Sequence, residues 1–164
     1  MNDHDTKQQD NDGTIIPPHI SSGPLSCHAL RLPPGADLVQ SLQEAAKRAM
    51  NDASTSSCFI LTAVGSLSHV TLRMAAADSQ NSITRSWNEK LEIVSLVGTL
   101  TFNHKHLHMS ISDVGGQVFG GHVMSGTVFT TLELVLGTIG KVSFSRKIDE
   151  RTGFSELVVS THTG

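Results

Sequence analysis

From Leu91 onward the chain reads almost entirely as strand. Leu91 to Phe102, His106 to Ser112, Gln117 to Val123, Val128 to Leu136, Lys141 to Arg146 and Ser155 to Ser160 are rich in β-branched and aliphatic residues, and most are parted by only a few turn-forming residues. Connections that short join antiparallel neighbours, because a parallel crossover needs a dozen residues or more. The N-terminal half adds less regular material. Ser26 to Leu32 reads as a strand leading into Pro33-Pro34-Gly35. Leu38, Leu42, Ala45, Ala46 and Ala49 then recur at helical spacing, predicting one amphipathic helix capped by Asp37 and ending near Asn51. Cys58 to Val64 and Leu67 to Met74 read as two strands about a tight turn at Gly65-Ser66, and Ala75 to Asn88, with the only tryptophan, Trp87, as a loop. The fold class that follows is α+β: a single domain dominated by an antiparallel or mixed β-sheet, with one main amphipathic helix.

Charge narrows the partners. Residues 1–24 carry Asp3, Asp5, Asp10 and Asp12 against Lys7 alone and have little to bury, so they are expected to form a disordered acidic tail before a domain spanning 25–164. That leaves eleven acids and eleven bases for the domain. Duplex DNA binding by bulk charge needs a basic footprint, which a neutral domain lacks. No apolar stretch is long enough to span a bilayer, and the N-terminus does not resemble a signal peptide, so a soluble cytoplasmic protein is expected. Cys27 and Cys58, both in apolar strand-like runs, are expected to be reduced core thiols.

Three histidines carry the chemical signal. His106 and His108 are two apart on a strand and share a face. His122 follows Gly120-Gly121 on the far side of a glycine turn at Asp113-Val114-Gly115-Gly116. A three-residue loop, Val114 to Gly116, would pair Asp113 with Gln117 and put His122 opposite His108 on the same face. A two-residue loop would send His122 to the other face unless Gly120-Gly121 forms a bulge. Three neutral imidazoles with a vacant fourth position are the ligand set of an open zinc site, which can activate water or polarise a carbonyl. His104, beside Lys105, reads as a solvated turn residue, and nothing places His28 or His69 near the others.

Glu92 and Glu133 interrupt apolar strands, Leu91-Glu92-Ile93-Val94 and Leu132-Glu133-Leu134-Val135. A buried carboxylate is costly unless paired or hydrogen-bonded. One reading pairs them with a strand arginine such as Arg31, Arg73 or Arg146, within the chain or across a subunit interface. The other makes one of them a catalytic acid/base or a partner of a metal-bound histidine. Glu133 is favoured there, because its strand follows the Gly-Gly-His strand after a short turn.

The segments Leu30-Arg31-Leu32-Pro33-Pro34-Gly35, Val64-Gly65-Ser66-Leu67 with Leu72-Arg73, Leu91 to Leu100, His106-Leu107-His108, Gly120-Gly121-His122, Thr130-Thr131-Leu132-Glu133 and Thr152-Gly153-Phe154 resemble, in order, the PPC domain shared by plants and prokaryotes. The resemblance covers residues 26–160. It implies an antiparallel α/β fold, a homotrimer, and a metal, zinc by expectation, at His106, His108 and His122. The fold is also similar to that of acetolactate decarboxylase, a zinc enzyme with a three-histidine site. Plant members follow an AT-hook of Arg-Gly-Arg-Pro type, which this sequence lacks, and the likeness is to stand-alone prokaryotic-type members. The expected function is therefore a metal-binding homotrimer with a small-molecule ligand and no DNA binding of its own. A DNA-associated regulatory module and a purely structural trimer are the alternatives.

Overall fold

The structure, a computed structural model, describes residues 20–75 and 83–161. Its elements run β1 (Leu25–Leu32), α1 (Leu38–Asp52), β2 (Cys58–Arg73), β3 (Thr84–Trp87), β4 (Leu91–Leu100), β5 (Lys105–Ser112), β6 (Val118–Ile139), β7 (Val142–Asp149) and β8 (Phe154–Thr161). Six strands form one sheet in the order β1-β6-β5-β4-β2-β3, and β6 also pairs with β2. Strands β6, β5, β4 and β2 thus close into a ring, which removes their free edges, with β1 and β3 as extensions. All pairings between these strands are antiparallel. The last two strands make a separate antiparallel hairpin, β7-β8. The result is a β-dominated domain with one helix.

Alternation places the core. On β5, Leu107, Met109 and Ile111 are buried while His106, His108 and Ser110 face the other way. On β4 the buried set is Leu91, Ile93, Leu96 and Leu100, its phase shifted once by an irregularity between Ile93 and Ser95. The helix lays Leu38, Leu42, Ala46 and Met50 into the same cluster. Each fully buried leucine among these contributes roughly 2 kcal/mol of transfer free energy. Asp37 caps α1 as the sequence predicts, its Oδ1 accepting a hydrogen bond from the Gln40 backbone N–H at 2.8 Å.

The structure corrects three expectations about the elements. Gly65-Ser66 does not turn the chain: β2 runs unbroken through it, with register shifts on either side of Leu67. The glycine is there because β6 passes close by, and a Cβ at Gly65 would sit 2.2 Å from the Thr131 carbonyl oxygen. Likewise β6 is one strand through Met124-Ser125-Gly126-Thr127, where Gly126 passes beneath Leu38. Finally, residues 84–87 of the expected loop form β3, whose Trp87 is buried and stacks 5.3 Å from Phe119. The rest of that loop, 76–82, lies outside the described residues.

Cys58 is buried in the core, where burial pushes its thiol up to about 11. Cys27, in contrast, is exposed, because it lies on the outward side of the edge strand β1. Both are free. Most of the expected acidic tail, residues 1–19, lies outside the described residues. Residues 21–24 are tied to the domain: the Gly140 N–H donates to the Pro24 carbonyl at 2.8 Å, and the Thr161 hydroxyl to the Ser21 oxygen at 2.8 Å. No helix among the described residues is long and apolar enough to cross a membrane.

Candidate metal centre

The turn between β5 and β6 decides where the histidines fall. The Asp113 N–H donates to the Gln117 carbonyl at 3.1 Å and the Gly116 N–H to the Asp113 carbonyl at 2.9 Å, enclosing the three-residue loop Val114 to Gly116. Gly116 takes φ +76°, a conformation glycine adopts without steric cost. The Asp113 carboxylate locks the loop, accepting from the backbone N–H groups of Gly115 and Gln117 at 2.9 Å each. The register that follows sets His108 opposite His122, with Met109 opposite Gly121 and Ser110 opposite Gly120. The pairing is continuous, so the glycines form no bulge and the three-residue alternative is the one realised.

All three histidines therefore share the outer face of the sheet, away from the core. The Nε2 atoms of His106 and His108 lie 3.2 Å apart, and one ligating nitrogen from each of the three rings falls within 4.8 Å of the other two. Ring centroids are 5.1 to 5.4 Å apart. The Nδ1 atom of His122 is buried and has no hydrogen-bond partner among the described residues. A buried polar atom without a partner is uncommon and costs about 1–3 kcal/mol, which a bound cation would offset. Three imidazoles converging from two strands, with a buried nitrogen of one ring unpartnered among the described residues, fit a divalent metal ion.

The surroundings keep two of the donors neutral. Burial, reinforced by the Arg73 guanidinium and the neighbouring histidines, pushes His122 down to about 4. Burial, with Arg146 next in effect, also lowers His106. Both rings are thus in the unprotonated form that ligates at neutral pH.

Around the cluster opens a cavity of about 710 Å³. Arg73 on β2 stands directly across from His122 in the β2–β6 register. The β7-β8 hairpin forms the facing wall with Arg146, Phe154, Ser155 and Glu156. Arg146 is held in place by two hydrogen bonds, from Nη1 to the Ser155 carbonyl at 3.0 Å and from Nη2 to the Thr99 hydroxyl at 3.1 Å. Thr99 is itself the cross-strand neighbour of His106. The Arg73 guanidinium lies 5.9 Å over the Phe154 ring, joining sheet to hairpin.

Glu133 and Glu92 are placed elsewhere in the chain. Glu133 is exposed on β6 between Arg31 of β1 and Val64 of β2. Glu92 is exposed on β4 between Ser66 and Ser112. Neither lines the histidine cavity, and among the described residues the carboxylate that does is Glu156. Arg73 and Arg146, weighed in the sequence as partners for those glutamates, line the cavity instead. The signal for both lies in long-range pairing: Arg73 reaches the site through β2–β6, and Arg146 and Glu156 through the folding of the last hairpin over the sheet. His104 is exposed in the turn before β5, at the cavity rim. His28 and His69 lie apart, hydrogen-bonded to Thr138 and Asn88.

Residues 19–140 match the sequence profile described as the Plants and Prokaryotes Conserved (PCC) domain. The chain is 38% identical over 149 residues to the bifunctional protein GlmU of Synechococcus sp. (strain JA-2-3B'a(2-13)), spanning 90% of this chain but only 22% of that protein. A hypothetical protein from Salmonella cholerae-suis has a similar structure, with TM-score 0.78 and 35% identity, covering 87% of this chain and 99% of its own. A metal-containing protein from Archaeoglobus fulgidus shares the fold at TM-score 0.69 and 24% identity, covering 85% of this chain and 96% of its own.

Proposed function

This chain belongs to the Plants and Prokaryotes Conserved domain family, and we propose that it is a metal-binding protein in which His106, His108 and His122 hold one divalent ion, zinc by preference, beside a small-molecule cavity. The observation that carries the reading is the convergence of the three imidazoles, with one ligating nitrogen of each within 4.8 Å of the others; beside it, the His122 Nδ1 is buried with no hydrogen-bond partner among the described residues. The archaeal protein of the same fold is described as metal-containing, in agreement with it. When bound, such an ion supplies Lewis acidity and lowers the pKa of a coordinated water. The chain's own residues shape what happens beside it. The β7-β8 hairpin walls the cavity and excludes bulk water from one side, and the Glu156 carboxylate is the group on that wall able to accept or release a proton.

The reading includes a homotrimer. Val64 and Val94 are 60% and 55% exposed on the adjoining strands β2 and β4. Apolar side chains grouped on a sheet face favour burial against another subunit. In that arrangement Glu92 on β4 and Glu133 on the neighbouring strand β6, both away from the cavity, serve the subunit interface or reach a neighbour's site.

Elemental analysis of protein purified without chelators should find about one zinc or similar ion per chain. The double variant His106→Ala, His108→Ala should lose it. Retention of wild-type stoichiometry in that variant would overturn the assignment.

A further inference from the structure

We propose that the cavity beside the histidines is an oxyanion site, taking the carboxylate or phosphate end of a small molecule between Arg73 and Arg146; the inference rests on the metal-centre reading for the position of the rest of the ligand. The first observation is charge. Among the described residues the cavity is lined by Arg73, Lys105 and Arg146 against Glu156 alone, in a chain whose net charge is −3. A cleft lined by one sign of charge concentrates counter-ions of the other.

The second observation is that both guanidiniums are half-buried and have no carboxylate partner among the described residues. The one salt bridge among the described residues joins Arg151 and Asp149, in the turn of the β7-β8 hairpin. Charged groups withdrawn from water are ordinarily paired, and here a ligand can supply the missing anion.

The third observation is pre-organisation. Arg146 spends two of its five N–H groups on Thr99 and Ser155, which fix the plane of the guanidinium beside His106 and leave the remaining donors free to bind. Arg73 flanks the cluster from the other side, next to His122. A planar fork of this kind matches the two oxygens of a carboxylate or phosphate. Glu156, with one oxygen accepting from the Thr152 hydroxyl at 3.0 Å, opposes the anion on the same wall. It sets a charge limit on what enters.

Protein carrying a measured metal content is titrated with sodium acetate, with inorganic phosphate and with neutral acetamide, following the arginine side-chain N–H resonances and the binding heat. Acetate or phosphate should shift the Arg73 and Arg146 signals saturably, while acetamide leaves them in place. Saturation by only one of the two anions supports the proposal and identifies the oxyanion. Arg73→Gln and Arg146→Gln should each weaken anion binding by about tenfold, and Glu156→Gln should tighten it about threefold. Arg146→Lys, which keeps the charge and loses the fork, should fall between wild type and Arg146→Gln. Metal content should not change in any of them. Wild-type anion affinity in both Arg→Gln variants, or no saturable shift in metal-loaded wild type, would overturn the proposal. Wild-type protein without metal would defeat the metal reading on its own, and the same titration of that protein would still decide whether the arginines take an anion.

Discussion

Metal-free protein should be acid-labile through His122. The ring sits half-buried with an orphaned nitrogen and with Arg73 beside it, and it is pushed down to about 4 from the ordinary 6.5. The unfolded chain gains its proton on passing below the ordinary value, whereas the folded chain does not until pH falls to the lowered one. Between those limits the unfolded state binds more protons, so stability declines as pH falls and is unaffected above the window. The full gap corresponds to roughly 3 kcal/mol at 1.36 kcal/mol per pH unit, and partial solvent access of the ring reduces this to about 2 kcal/mol. His106, also lowered by burial, acts in the same direction. The assay is urea unfolding of chelator-dialysed protein at about pH 7 and about pH 4.5, wild type against His122→Gln. Carboxylates titrate in both proteins, so the difference between the two losses isolates the histidine. Added zinc should stabilise wild type near neutrality, and the gain should fade toward acid as protons compete for the imidazoles. Equal losses in wild type and His122→Gln would refute the argument.

Gly98→Ala should destabilise by about 3 kcal/mol and reduce metal occupancy, because φ is +149° and an added Cβ would lie 2.0 Å from the His106 carbonyl oxygen; a wild-type melting curve would contradict it. Asp37→Ala should cost about 1 kcal/mol through loss of the cap to Gln40, read as a fall in the urea midpoint with unchanged slope. Light scattering should give three times the chain mass, 17.5 kDa for the full chain, and the trimer should persist in protein lacking residues 1–24 and in the histidine variants; a folded monomer at micromolar concentration would remove the interface role given to Val64 and Val94. With eleven acids and eleven bases from residue 25 onward, this chain alone should form no specific duplex complex at physiological salt, and a submicromolar, sequence-dependent gel shift would show otherwise.

Local order was legible in the sequence wherever one short-range rule acted alone. The helix, its cap at Asp37 and its buried stripe follow from spacing and capping chemistry within a few residues. The strand boundaries of β1, β4 and β5 follow from alternation bounded by turn residues. The two strands that were misdivided turn on glycine. At Gly65 and Gly126 a turn reading and a close-packing reading make the same demand on sequence, a residue without a side chain. Only the approach of the Thr131 carbonyl or of Leu38 tells them apart, and those neighbours are far away in the chain. Reading two turns divided β2 and β6 into four pieces and hid the long strands that close the ring.

The candidate site divides along the same line. His106, His108 and His122 are joined by one hairpin, so the loop length fixed by Asp113 and Gly116 was enough to state the two registers between which the structure decides. The cavity wall has no such local signature. Glu133 drew notice because it breaks an apolar run, yet a lone charge in a strand marks either a buried catalytic group or an outward face, and in this chain its side is exposed opposite Arg31 and Val64. Glu156 drew none, because Ser155 to Ser160 reads as an ordinary last strand. Its position beside the histidines comes from the β7-β8 hairpin folding over the sheet, where Arg146 anchors to Thr99 across 47 residues. That bond ties the hairpin wall to the strand neighbouring His106, so the anion-binding side of the cavity depends on the long-range packing that sequence patterning does not record.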